Sequence, residues 1–212
     1  MKLIVISDLH DSMRHVDLLR DTCVGADALI VCGDFTTFGK HERVQTMADA
    51  VHIEGLPCYF VIGNCDAMGP ADELDGWRNL HGRVARLGDW LLAGVGGALP
   101  CPGHTPSEYS ETEGASCLTR IREACGGDCS QLILVSHQPP YGTGADLLPT
   151  GMHVGSHSLR AFIDEAQPAY CLTGHIHEAA SRMQVGRTVV INPGPFSHGQ
   201  IAAIEVPDRA SA

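Results

Sequence analysis

Five short apolar stretches of this chain each end close to a side chain that can bind a metal ion. The stretches read as buried strands because they are brief, rich in β-branched residues and bounded by polar ones. The side chains that follow them are Asp8, Asp34, Asn64, His137 and His175. Between several of these strands, apolar residues repeat at helical spacing. Because strands that alternate with helices are typical of parallel sheets, the sequence predicts an α/β fold.

The rest of the chain fits this pattern, with one hairpin and one long loop. Residues 84–87 and 90–95 read as two strands joined by a tight turn at Gly88-Asp89. Ser110 and Glu113 have the spacing of a capping box, which predicts that a helix starts there. Residues 138–156 form a long loop rich in proline and glycine. Loops of this length inside a compact domain are usually functional or disordered.

The metal-capable side chains are expected to form one site. Ligands of open α/β sheets bind outside the carboxyl ends of the strands, and these residues follow those ends. His10 lies two residues after Asp8, and His177 lies two residues after His175. In an extended segment, His175 and His177 would point the same way.

The seven side chains supply two carboxylates, one amide oxygen and four imidazoles. This mixture suits Mn, Fe, Zn, Ni or Co and is too rich in nitrogen for Mg or Ca. Two divalent ions about 3.5–4 Å apart, sharing a carboxylate and a hydroxide, would use all seven.

Five motifs of this chain resemble the five sequence blocks of the calcineurin-like metallophosphoesterases. In the family's order they are Asp8-Leu9-His10, Gly33-Asp34, Gly63-Asn64-Cys65-Asp66, Ser136-His137 and Gly174-His175-Ile176-His177. The resemblance spans nearly the whole chain and implies a four-layer αββα sandwich, one domain over residues 1–212. It also implies a phosphoester hydrolase in which a metal-bridging hydroxide attacks phosphorus.

The resemblance further implies which residues hold each ion. One ion would be bound by Asp8, His10 and His177. The other would be bound by Asn64, His137 and His175, and Asp34 would bridge the two.

The chain departs from many family members at Cys65, where they carry a histidine thought to protonate the leaving group. A cysteine there resembles the small bacterial and archaeal phosphodiesterase branch. Weak leaving groups such as alkoxides need a proton donor most. The cysteine in place of the histidine therefore favours diesters and activated esters over simple monoesters. Cys65 could itself be a thiol acid, a reactive nucleophile or a small packed residue.

Three other residues complete the predicted catalytic group. Asn64 is predicted to be both a metal ligand and a catalytic residue. Asp66 is expected to hydrogen-bond beside Asn64 and support that turn. His153, in the 138–156 loop, is predicted to close over the site and contact the phosphate, with a plain surface histidine as the alternative.

Composition limits the partners. The chain has 212 residues and a formal net charge of -11, so a stable nucleic-acid partner, which would need basic surface, is not expected. No apolar run is long enough to insert into a membrane. Nine cysteines without secretory context favour reduced thiols and a cytoplasmic location. The expected partner is a small phosphoester substrate, and a homo-oligomer is left open.

Two other classes of function stay open. The fold also serves as a non-catalytic scaffold, but scaffold relatives typically lose metal ligands and this chain keeps all seven. A nucleotide-binding module would bind cyclic nucleotide tightly without turnover. Cyclic nucleotides, phospholipid-derived diesters and short nucleotides all remain candidate substrates.

Overall fold

Two β-sheets lie face to face between two pairs of helices. The structure is a computed structural model that describes residues 1–207. The predicted domain, 1–212, therefore extends five residues beyond the described part. The helices are α1 Val16–Thr22, α2 His41–Val51, α3 Glu111–Ala124 and α4 His157–Ala166. Among residues 1–207, none of the helices is long and apolar enough to cross a membrane.

The first sheet holds five strands. They are β1 Lys2–Ile6, β2 Ala28–Val31, β3 Cys58–Phe60, β4 Arg78–Asn79 and β11 Ala202–Glu205. Their order across the sheet is β11-β1-β2-β3-β4. Strands β1 to β4 pair in parallel, and β11 pairs antiparallel with β1 at the edge. The carboxyl ends of β1, β2 and β3 therefore meet at one edge of this sheet.

The second sheet holds six strands. They are β5 Val84–Leu87, β6 Trp90–Val95, β7 Leu132–Ser136, β8 Tyr170–Leu172, β9 Ser181–Val185 and β10 Thr188–Asn192. Their order across the sheet is β5-β6-β7-β8-β10-β9. The four central strands are parallel, and β5 and β9 are antiparallel at the two edges. The predicted hairpin at residues 84–95 is confirmed as β5 and β6.

Three layers of apolar packing separate the four layers of backbone. Along β1, Ile4 and Ile6 pack with the α1 and α2 helices, while Leu3 and Val5 pack between the two sheets. A third cluster joins the second sheet to α3 and α4. The alternation in β1 buries both of its faces, which explains its unbroken apolar sequence. The predicted four-layer αββα sandwich is confirmed.

Local sequence signals explain where elements begin and why one of them was missed. Ser110 accepts a hydrogen bond from the Glu113 amide, and the Glu113 side chain reaches back, so the capping box that starts α3 is confirmed. Strand β4 was not predicted, because two residues are too few for an alternating pattern.

Gly94, in β6, lets the two sheets approach closely. A Cβ at this position would lie 2.5 Å from Cγ1 of Val61 and 2.6 Å from the carbonyl oxygen of Val135. Because backbone cannot give way, Gly94→Ala is expected to lower the free energy of unfolding by about 1–3 kcal/mol. Gly103, which has open space around it, is the control. Urea denaturation should leave Gly103→Ala within about 0.5 kcal/mol of wild type; equal stability of the two variants would contradict this account.

Candidate metal centre

The predicted ligands come together where the parallel strands of both sheets end. Asp8 follows β1 and Asp34 follows β2, and backbone hydrogen bonds join the segments, including one of 2.8 Å from the Leu9 amide to the Asp34 carbonyl. In the second sheet, the Gly174 amide donates to the His137 carbonyl at 3.2 Å. The first sheet thus supplies the amino-terminal ligands and the second sheet supplies the later ones.

One group consists of Asp8, His10 and His177. The Nε2 atoms of the two histidines are 3.1 Å apart, and His177 Nε2 lies 3.3 Å from Asp8 Oδ1. Within the described residues, this oxygen is buried and accepts no hydrogen bond. A buried carboxylate oxygen that accepts no hydrogen bond is costly, and a cation between it and the two imidazoles would stabilise it. Two atoms that bind one ion at about 2.1 Å and at right angles are about 3 Å apart, close to the separations seen here.

The second group consists of Asn64, His137 and His175. His137 Nδ1 lies 2.7 Å from the Cys32 carbonyl oxygen, which can only accept, so this nitrogen carries a hydrogen. His137 Nε2 lies 2.9 Å from Asn64 Oδ1. In the neutral ring both atoms are acceptors, so a proton or a cation must lie between them. The His175 ring packs against His137 with centroids 5.0 Å apart.

Asp34 lies between the two groups. Its Oδ2 is 3.6 Å from His10 Nε2 and 3.4 Å from His137 Nε2, and its Oδ1 accepts from the Cys65 amide at 2.8 Å. Carboxylate and imidazole atoms close enough to share an ion occur in Asp8–His10–His177, in Asp8–Asp34–His137 and in His10–Asp34–Cys65. The residues therefore fit bound cations, with one carboxylate in contact with both groups.

The charges and burial around the centre shift the pKa values of His137 and His175 in opposite directions. Burial lowers the pKa of His137, but Asp34 and Asp8 outweigh this effect and raise it to about 9. Burial and the neighbouring His137 lower the pKa of His175 to about 4. His175 is therefore neutral near pH 7, as a metal ligand must be, whereas His137 must exchange a proton for an ion.

The centre contains unusual backbone. Asp8, His10, Asp34 and His175 all have positive φ, between 46° and 71°. Such conformations cost energy in residues with a Cβ and tend to cluster at functional sites. Here they turn the chain sharply after each strand and direct the side chains inward.

This backbone corrects the expectation that His175 and His177 lie in an extended segment. His175 has φ 71° and His177 begins a short 3₁₀ turn, so the two rings point to different groups. Just before this bend, Gly174 lies so close to the first sheet that a Cβ there would overlap Ser7 Oγ. The bend places His175 beside His137 and His177 beside His10.

Asp66 is fully buried and ties two site loops together. Its carboxylate accepts hydrogen bonds from the amides of Gly63, Phe35 and Thr36 at 2.9, 3.2 and 2.9 Å, and from the Thr36 hydroxyl. Burial and Asp34 raise its pKa to about 7, while the donors from Gly63 and Thr36 act in the opposite direction. These contacts join the Gly63 and Phe35–Thr36 segments, and the supporting role of Asp66 stays a prediction.

Cys65 is half-buried beside the centre. Its Sγ lies 3.6 Å from the Asn64 side-chain nitrogen. Burial and the Asp34 carboxylate hold the pKa of this thiol well above its ordinary range. The sulfur is therefore protonated near pH 7, unless a cation binds it.

The 138–156 loop is ordered around the buried carboxylate of Asp146. This carboxylate accepts from the amides of Thr143 and Gly155 at 2.8 and 2.9 Å. His153 Nδ1 lies 2.8 Å from the same carboxylate, and its ring packs on Tyr141. These contacts of His153 are with its own loop, so its predicted contact with substrate stays a prediction.

Two residues near the centre were missed by sequence reasoning. Asp146 is one, and nothing in the sequence marks its burial. The other is Cys101, whose Sγ lies 3.7 Å from His175 Nε2. Cys101 sits among turn-forming residues, and neither spacing nor periodicity connects it to a histidine 74 positions later.

Comparison with known proteins identifies the family. The family model of the calcineurin-like phosphoesterase superfamily domain matches residues 1–203. This chain belongs to that superfamily. Its family and its neighbours support a metal-dependent phosphoester hydrolase.

Relatives extend across archaea and bacteria. The uncharacterized protein MJ1162 of Methanocaldococcus jannaschii is 35% identical over 207 residues, covering 93% of this chain and 90% of its own length. UDP-2,3-diacylglucosamine hydrolase of Vibrio cholerae is 35% identical over 85 residues, covering 32% of this chain and 34% of that protein. The solved structure of TT1561 of Thermus thermophilus has a TM-score of 0.69 at 21% identity, covering 93% of this chain and 91% of TT1561. This likeness shows the shared fold.

The buried position of Asp66 gives a test of its role in the scaffold. Asp66→Ala would leave several buried donors without an acceptor, so it is expected to lower the free energy of unfolding by about 3 kcal/mol. Asp72, an exposed aspartate that accepts from the Gly69 amide, is the control. Asp72→Ala should cost less than about 1 kcal/mol in urea denaturation. A loss at Asp66 no larger than at Asp72 would contradict the role.

Proposed function

We propose that this protein is a binuclear metal-dependent phosphodiesterase. The observation that carries the proposal is Asp34, whose carboxylate faces one cluster of nitrogen and oxygen atoms on each side. Asp8, His10 and His177 would hold one divalent ion, and Asn64, His137 and His175 the other, with Asp34 shared. Mn, Fe, Zn, Ni and Co all suit this donor set.

The bound ions would supply an activated water as nucleophile and would offset charge on the phosphate oxygens. The chain's own residues would do the positioning. Asp66 holds the Gly63 and Thr36 segments together, so that Asn64 and Asp34 keep their separation. His137 is fixed in one orientation by the Cys32 carbonyl, which directs Nε2 toward the centre.

The preference for diesters rests on Cys65. A protonated thiol with a strongly raised pKa is a poor donor to a leaving alkoxide, compared with an imidazole whose pKa lies near 7. Activated esters and diesters with a stable leaving group react most readily without a proton donor. The expected substrate is a small phosphodiester rather than a nucleic acid, since the chain carries a formal net charge of -11.

The alternatives are a non-catalytic scaffold and a nucleotide-binding module on the same fold. Asp8 Oδ1 is buried, accepts no hydrogen bond from the described residues and lies 3.3 Å from His177 Nε2, an arrangement that a bound cation would stabilise and that therefore supports the enzyme over a scaffold without metal. Turnover separates the enzyme from both alternatives, and binding of cyclic nucleotide separates the two alternatives from each other.

Hydrolysis of a chromogenic phosphodiester with added Mn²⁺ tests the centre. Wild type should be active, and Asn64→Ala and His177→Ala should each lose about 100-fold or more, because each removes an ion ligand that supports transition-state charge. His41→Ala is the matched control, since His41 is exposed and contacts the Glu73 carbonyl. Absence of turnover with Mn²⁺, Ni²⁺, Co²⁺ and Fe²⁺ would favour the scaffold. Tight binding of cyclic nucleotide without turnover would favour the binding module.

The role assigned to Cys65 has its own test. Cys65→His is expected to raise turnover of an alkyl phosphate monoester by about tenfold or more, because the imidazole can protonate the alkoxide. Turnover of the aryl diester should change less, and the ratio of the two rates is the readout. If wild type already hydrolyses the alkyl monoester as fast as the diester, the proposed preference is wrong.

A further inference from the structure

Large apolar side chains are exposed mainly in the loops that form the candidate metal centre. Within residues 1–207, eight such side chains are exposed, and six of them lie in the loops that follow β1, β2 and β7. The same loops carry His10, Asp34 and His137. The six are Met13, Phe38, Tyr141, Leu147, Met152 and Val154. Exposed apolar side chains that gather at one place, rather than singly, mark a surface that binds an apolar group.

Phe38 has an unfavourable position in two respects. Its side chain is 56% exposed, and its backbone has φ 62°, a left-handed conformation that a bulky residue rarely adopts. The fold therefore gains little burial from this ring while it bears the cost of the backbone. Glycine would take the same conformation without strain. Residues held in such conformations cluster at sites that bind ligands.

Hydrogen bonds place Phe38 beside the predicted ligands. Its amide donates to the Cys65 carbonyl at 2.8 Å. The hydroxyl of the preceding residue, Thr37, lies 3.3 Å from His10 Nδ1, and the Thr37 amide donates to the Asp11 carboxylate at 2.9 Å. The exposed ring thus belongs to a segment that is fixed against the candidate centre on the side of the first sheet.

The 138–156 loop presents exposed apolar side chains on the side of the second sheet. The side-chain amide of Gln138, which follows a predicted ligand, donates to the Val154 carbonyl at 2.9 Å. The turn at Gly144–Asp146, which leads into Leu147, packs against the turn that begins at His177. Amides of the loop donate to the buried carboxylate of the first of these turns. The apolar side chains of the loop therefore belong to a fixed surface.

The His10 and His177 rings join these two apolar surfaces. Their Nε2 atoms are 3.1 Å apart, with the Phe38 segment in contact with His10 and the Gly144–Asp146 turn packed on the His177 turn. A phosphate at the centre would have exposed apolar side chains from both sheets beside it. The formal net charge of -11 disfavours a substrate with further anionic groups, so this surface suits a neutral organic substituent.

We propose that the phosphodiester substrate carries an apolar substituent, an alkyl or aryl group on the oxygen that stays bound to phosphorus. Phe38 receives this group together with Leu147, Met152 and Val154. The inference rests on the proposed function. The substituent takes no part in the reaction, and its removal from water strengthens binding about fourfold for each methylene group that is buried.

Two diesters with the same leaving group test the proposal, the methyl and octyl esters of p-nitrophenyl phosphate, each below the concentration at which it forms micelles. With Mn²⁺, wild type should have a kcat/KM for the octyl ester about tenfold or more above that for the methyl ester. The gain should appear mainly in KM, because burial of a remote group stabilises the bound substrate and the transition state alike. In Phe38→Ala and in Met152→Ala, the ratio of the two kcat/KM values should fall about threefold or more.

Leu18→Ala is the matched control, since Leu18 is 47% exposed but lies on α1. Its ratio should equal that of wild type. If Phe38→Ala does not fold, Phe38→Gly replaces it, because glycine adopts φ 62° without strain. Equal kcat/KM values for the two esters in wild type, or the full octyl preference in both rim variants, would overturn the proposal and leave the hydrolase standing. No turnover of either ester would overturn the proposed function, and the inference with it.

Sedimentation with phosphatidylcholine vesicles separates a soluble substrate from a membrane surface. Wild type should stay in the supernatant, since the proposed occupant of the apolar surface is a single substrate molecule. Co-sedimentation of wild type that is lost in Phe38→Ala would assign the surface to membrane docking and would overturn the proposal.

Discussion

The hydrogen bond between His137 and the Cys32 carbonyl joins the two sheets at the edge where the ligands collect. His137 follows a strand of the second sheet and Cys32 follows a strand of the first, and the contact is 2.7 Å long and fully buried. It links the two sheets and sets the tautomer of the ring. Gly33 must lack a side chain for this approach, because a Cβ there would lie 2.6 Å from His137 Nδ1.

Most of the fold follows from short-range patterns in the sequence. The apolar strand from Lys2 to Ile6 and the hairpin at residues 84–95 are visible because burial and turn chemistry act over a few residues. The positions of Asp8 and Asp34 at one edge follow from parallel pairing, which the alternation of helices and strands predicts. Such signals are local, so one sequence is enough to read them.

The geometry within the centre was less predictable, because it depends on contacts between distant residues. The bend at His175 follows Gly174, which packs against Ser7 of the other sheet, and no local pattern encodes that contact. Cys101 reaches His175 only because Glu108 and Asn64 hold its loop. Asp66 could be assigned a supporting role from its place in the turn, but its hydrogen bonds to two loops could not be foreseen.

The division of the ligands between the sheets has a consequence for stability. Asp8, His10, Asp34 and Asn64 follow strands of the first sheet, whereas the three later histidines follow strands of the second. Each ion, as proposed, would then bind both halves of the sandwich and act as a staple between them. Since a ligand that binds only the folded state stabilises it according to its free concentration, the cohesion of the two sheets would depend on the metal supply of the surroundings.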